Sequence, residues 1–70
     1  MQDPHLQIRT RIKKLLQIRG KSAEKVAFEI GMSKEFMYAY LRGDKKASLE
    51  SLIKIAEGLD VKLKDLLPDI

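Results

Sequence analysis

Apolar residues return along this chain at three- and four-residue steps, punctuated by single serines and glycines, a rhythm that predicts helices and no strand. In a first helix over residues 6–19, Ile8, Ile12, Leu15 and Leu16 fall on one stripe, and Gly20 ends it. Ser22 is a good N-cap for a short second helix with Val26, Ala27 and Ile30 on its buried side and Glu24 favourably placed in its first turn. Gly31 closes that helix. Ser33 caps a third helix reaching residue 42, with Met37, Tyr40 and Leu41 facing the core and Gly43 as the stop. Beyond the polar loop Gly43-Asp44-Lys45-Lys46, Ser48 caps a fourth helix whose inner stripe is Leu49, Leu52, Ile53 and Ala56, with Gly58 at its end. A last short helix over residues 62–67 carries Leu63, Leu66 and Leu67 and stops before Pro68. The expected architecture is therefore all-α: a compact five-helix domain over residues 6–70 behind a flexible tail, residues 1–5, with no repeat and no linker.

Composition narrows the chemistry. Seventy residues make one domain near the lower size at which an apolar core holds a chain without staples, and there is no cysteine to provide a disulfide or a thiolate ligand. The single histidine, His5, lies in the expected tail, so a zinc site would need carboxylates alone; no metal and no cofactor is expected. An enzyme needs titratable groups converging in a cleft, and the carboxylates here are scattered over presumed outer faces, which argues against catalysis and against a small-molecule substrate. Charges interrupt every apolar segment, which excludes a membrane span, and the first residues lack the basic leader and apolar block of a signal peptide, so a cytoplasmic location is expected.

The formal charge of +4 points to a polyanionic partner. Its distribution is uneven. Residues 1–21 carry Arg9, Arg11, Lys13, Lys14, Arg19 and Lys21 against Asp3 alone, whereas residues 22–43 balance three basic against three acidic side chains. On charge alone, the basic first segment is equally well a solvated helix face or a phosphate-facing one.

The informative stretch is residues 23–42. Two short helices separated only by Gly31-Met32-Ser33 must cross steeply, which requires a small residue in the first helix, a residue free to take positive φ in the turn, and apolar residues inside the second. Ala27, Gly31 and Met37 meet those requirements, and Val26, Ile30, Met32 and Tyr40 complete the apolar seat.

With Arg19-Gly20-Lys21-Ser22 before it, Val26-Ala27 and Ile30-Gly31-Met32-Ser33 within it, Arg42-Gly43 after it, and then Ala47-Ser48-Leu49-Glu50-Ser51-Leu52, Ile55-Ala56 and Leu59-Asp60-Val61, the chain resembles the lambda-repressor-like helix-turn-helix domain of the XRE and Cro family of bacterial and phage regulators. The resemblance implies a sequence-specific regulator of transcription that binds double-stranded DNA, usually as a homodimer, with the third helix in the major groove. Carried onto this chain, the base-contacting positions are Ser33, Lys34, Glu35, Tyr38 and Ala39; Lys34 would donate to guanine, Glu35 accept from cytosine and Ala39 meet a thymine methyl. Backbone contacts fall to Lys21, Ser22, the start of the second helix at Ala23, Arg42, Lys45 and Lys46, and self-association to an apolar surface at Leu66, Leu67 and Ile70.

Plainer readings stand beside these. Ser33 is explained as an N-cap and Glu35 by the positive end of a helix. Phe36 and Tyr38 suit contact with DNA or with a protein. The chain also departs from the family at three points: the glutamine that usually opens the second helix is Ala23, the arginine and glutamate that usually pair between the first and third helices are Leu16 and Leu41, and the motif is neutral. A protein-interaction module on the same fold, with a degenerate DNA face, is the alternative function. A membrane-surface role for the basic first helix would require it to leave its core.

Overall fold

In a computed structural model, which describes residues 4–67, the chain forms four α-helices and no strand among those residues: α1 (Pro4–Arg19), α2 (Ala23–Glu29), α3 (Lys34–Arg42) and α4 (Leu49–Gly58). Ser22, Ser33 and Ser48 precede α2, α3 and α4 in extended backbone, and each hydroxyl oxygen accepts a bond from the backbone N–H three residues on, all at 3.1 Å. Each bond satisfies a donor that the first helical turn leaves open, and its loss typically costs about 1 kcal/mol.

The expected fifth helix is a single 3₁₀ turn, Leu63–Asp65. Its bonds run three residues back, from the Asp65 N–H to the Lys62 carbonyl and from the Leu66 N–H to the Leu63 carbonyl, each 2.9 Å. Pro68 explains the shortening: it disfavours helical backbone at Leu67.

The helices bury one shared cluster. Ile8, Ile12 and Leu16 enter it from α1, Val26 and Ala27 from α2, Met37, Tyr40 and Leu41 from α3, and Leu52, Ile55 and Ala56 from α4, with Leu59 and Leu66 added from beyond α4. No polar or charged residue is buried among the described residues. Leu16 and Leu41 belong to that cluster, so the two positions where the family usually keeps an ion pair are here filled by apolar side chains in an apolar core.

The orientation of α4 differs from the expected stripe. Leu52 and Ala56 face inward as expected, but Leu49 is 62% and Ile53 39% exposed, and Ile55 takes the inner place. At 100° per residue, Leu52, Ile55, Ala56 and Leu59 share one arc, and Leu49 and Ile53 fall on its flank. With that face α4 packs against both α2 and the 3₁₀ turn. A Cβ on Gly58 would lie 2.8 Å from Ile30 Cγ2 and 3.0 Å from Val26 Cγ1, so the missing side chain lets the end of α4 close on α2. Gly58 is therefore a site of close approach, while the left-handed residue after α4 is Asp60, at φ 62°.

Candidate nucleic-acid interface

The chain passes from α2 to α3 through Gly31, at φ +72°, where a Cβ would meet no atom within 4 Å. Glycine is needed there for backbone conformation alone, since left-handed backbone costs other residues roughly 1–2 kcal/mol. The Met32 N–H reaches back to the Ala27 carbonyl at 2.8 Å, and Ala27 is fully buried, as the steep crossing of two helices demands. The other end of α3 is closed as firmly. Gly43, at φ +91°, donates to the Tyr40 carbonyl at 3.0 Å, and the Asp44 N–H donates to the Ala39 carbonyl at 2.9 Å, which together form a Schellman cap.

Between these ends α3 presents Lys34, Glu35, Tyr38 and Arg42 to solvent, with Tyr38 41% exposed. Nine residues make a rod of about 13 Å. Lys34 Nζ lies 3.9 Å from Glu24 Oε1, which sets the first turn of α2 beside the first turn of α3. Both groups are well exposed, so this pair holds Lys34 only weakly. Ser33 is exposed; its oxygen caps α3 and its hydroxyl proton can still be donated. Arg42 pairs through Nε with Asp44 Oδ2 at 3.0 Å, and exposed Lys45 and Lys46 follow on the loop.

Several expected site residues are placed elsewhere. Ala39 is buried, at the point where the chain leaving α3 turns back, and so presents no methyl to a base. Leu66 is fully buried in the central cluster because the 3₁₀ turn folds it inward, and it is not part of an association surface. Leu67 remains 38% exposed, and its carbonyl accepts a bond from Arg11 Nη1; Ile70 lies outside the described residues. Lys21 donates to the Gly58 carbonyl at 3.2 Å and to Glu29 Oε1 at 3.4 Å. It thus serves the C-terminal end of α4, where a cation is favoured by the helix dipole, in a groove shared with Glu57 and Asp60 and with no residue of α3. Ser22 is exposed beside the α2 start, while Ala23 packs partly against the core and has only its backbone to offer. Phe36 is half-buried against the core as well, which leaves Tyr38 as the aromatic on the outer face of α3.

Two features lie outside the set of expected site residues. Arg9 of α1 lies against the end of α3: its Nη2, Cζ and Nε atoms are 3.6, 3.7 and 3.9 Å from where a Cβ of Gly43 would stand. Behind it Tyr40 is fully buried, and its hydroxyl has no hydrogen-bond partner among the described residues. Burial pushes the Tyr40 phenol above its ordinary pKa, and the positive charge of Arg9 opposes that rise. Phe28 is the other feature, 86% exposed on the outer side of α2, and its place out of phase with Val26, Ala27 and Ile30 was a signal open to the sequence. Among the described residues no group of three or more acidic or histidine side chains could hold a metal, and no helix is long and apolar enough to cross a membrane.

Two short helices joined through a left-handed glycine, the second displaying a charged and aromatic face flanked by lysines, define a helix-turn-helix DNA-binding fold of the lambda-repressor-like type. Residues 12–66 match the family model described as helix-turn-helix, and the chain belongs to that family. Among solved structures it is similar to the restriction-modification controller protein C.AhdI from Aeromonas hydrophila, with 27% identity and a TM-score of 0.82 over 89% of this chain and 94% of that one. No curated protein matches the chain.

Proposed function

We propose that this protein is a sequence-specific regulator of transcription, acting as a homodimer on double-stranded DNA, and that it is a binding protein and not an enzyme. The observation that carries this reading is the outer face of α3: Lys34, Glu35 and Tyr38 stand together on a helix held at both ends, and Arg42, Lys45 and Lys46 follow where a DNA backbone would pass. In this reading Ser33, Lys34, Glu35 and Tyr38 meet base edges, while Ser22, the α2 start at Ala23, Arg42, Lys45 and Lys46 meet phosphates. Similarity to a restriction-modification controller supports gene control as the role.

Selection from random duplexes by mobility shift tests the proposal. It should enrich one motif, and Lys34→Ala or Glu35→Ala should relax discrimination at one base pair by about 1–3 kcal/mol. Arg42→Gln or Lys46→Gln should instead weaken binding to all sequences and lower the salt slope by roughly one unit each. Failure to enrich a motif, with binding no tighter than about 10⁻⁴ to 10⁻⁶ M, would overturn the reading. The exposed Phe28 favours the second reading, a protein-interaction module, in that event.

A further inference from the structure

We infer that Asp44 is a positioning residue for DNA binding: its carboxylate holds the Arg42 guanidinium by one edge, so that the remaining donors of Arg42 meet a DNA phosphate already oriented. The inference rests on the DNA-binding reading of α3 and adds a residue outside the expected site. The backbone of Asp44 is fixed by the end of α3 itself. Gly43, at φ +91°, turns the chain back, and the Asp44 N–H donates to the Ala39 carbonyl at 2.9 Å. That cap brings the Asp44 side chain within reach of Arg42, and Oδ2 accepts a bond from Arg42 Nε at 3.0 Å. The other cations around α3 are held less closely. Lys34, at 3.9 Å from Glu24, is too far from its partner for a hydrogen bond, and Lys45 and Lys46 stand exposed on the loop.

The pair is better suited to orienting Arg42 than to stabilising the fold. Both side chains are 64% exposed, where water and salt screen an ion pair and leave little net stabilisation. Orientation is a separate matter. A free arginine on a surface occupies many rotamers, and docking on DNA has to fix one of them, so a guanidinium already held through Nε loses less freedom. The bond uses the Nε edge and leaves the Nη groups for a phosphate, which a planar guanidinium can meet with two parallel donors. Against this stands the charge of Asp44, which repels phosphate. The two effects have opposite signs, and orientation is the larger because the adjoining guanidinium offsets the field of the carboxylate.

Mobility shift against the selected duplex and a random one separates the two effects by their sign. Asp44→Ala keeps the backbone N–H that caps α3 and removes the carboxylate. Loss of repulsion alone would tighten binding, whereas loss of orientation should weaken it by about two- to fivefold on both duplexes, with the preferred motif unchanged. Asp44→Asn retains an oxygen acceptor for Nε without the charge and should bind at least as tightly as the wild type. The effect must also run through Arg42: in an Arg42→Gln background, Asp44→Ala should no longer weaken binding. An alanine variant that binds as tightly as the wild type or tighter overturns the inference, and so does an asparagine variant as weak as the alanine one. Equal weakening by Asp44→Ala in the Arg42→Gln background also overturns it, since the effect then lies in the fold. If Asp44→Ala does not fold, Arg42→Lys decides, because lysine keeps the charge and lacks the Nε edge: affinity lower by a similar factor supports the inference, and affinity equal to the wild type refutes it. A wild type that binds no duplex ends the DNA-binding reading and this inference with it, whereas a wild type that enriches a motif and tolerates Asp44→Ala ends the inference alone.

Discussion

The Tyr40 ring is fully enclosed, yet it ends in a hydroxyl without a hydrogen-bond partner among the described residues. Below pH 10 or so the phenol is neutral in the folded and unfolded chain alike, and its contribution to stability does not change with pH. Because burial raises the folded pKa, the unfolded phenol gives up its proton first as the pH climbs, so the folded state then binds more protons and stability falls until the folded pKa is passed. Tyr40→Phe removes that alkaline loss. Denaturant unfolding should show the variant ahead of the wild type by about 1 kcal/mol at pH 7, since an unpaired buried hydroxyl is removed, with a constant gap up to pH 9 and a wider one at pH 10.5. Parallel curves over the whole range would show that the phenol does not titrate in this way.

Packing between elements turns on the junction of α2 and α4. Gly58 is the last residue of α4 and does not have positive φ, so alanine would be the better helix former if packing did not matter. Packing reverses that preference, because the added Cβ would stand 2.8 Å from Ile30 Cγ2 and 3.0 Å from Val26 Cγ1. Gly58→Ala should therefore destabilise the fold by about 1–3 kcal/mol, and Ile30→Ala in the same chain should cost less than it does alone. A urea-unfolding cycle measures the coupling; strictly additive losses would mean that the two helices do not meet there. Leu49 and Ile53, apolar residues that suit an inner stripe, are left on the flank, while the face of Leu52, Ile55 and Ala56 is buried where α4 packs against α2 and the 3₁₀ turn.

Leu66 is buried while Leu49, Ile53 and Leu67 are exposed, as are Leu6, Ile18 and Phe28, and we propose the flank of α4 as the surface for self-association. Reading a two-fold site requires two recognition helices held about one turn of DNA apart, so apolar area outside the α3 face is where a second copy is expected to join. Ile53→Ser should weaken self-association in sedimentation equilibrium without loss of helical circular dichroism. A wild-type profile fitted by the 8.0 kDa monomer alone at high concentration would confine any pairing to the DNA-bound state.

Much of this protein was legible in its sequence. Serine caps at 22, 33 and 48, the glycine stops at 20, 31 and 43, the inner stripes of α1, α2 and α3 and the spacing of the helix-turn-helix all depend on residues within a turn or two of one another, and these local preferences agree with the fold. The exposed Lys34, Glu35, Tyr38 and Arg42 follow from the same periodicity. What tertiary structure decided were contacts between residues distant in the chain. Lys21 meets the Gly58 carbonyl across 37 positions and is committed to a helix end, Arg9 meets Gly43, and the 3₁₀ turn carries Leu66 into the core. A periodic pattern marks which residues a helix can bury, but which of them it does bury depends on the neighbour that closes on it, and that neighbour is set by packing of the whole core.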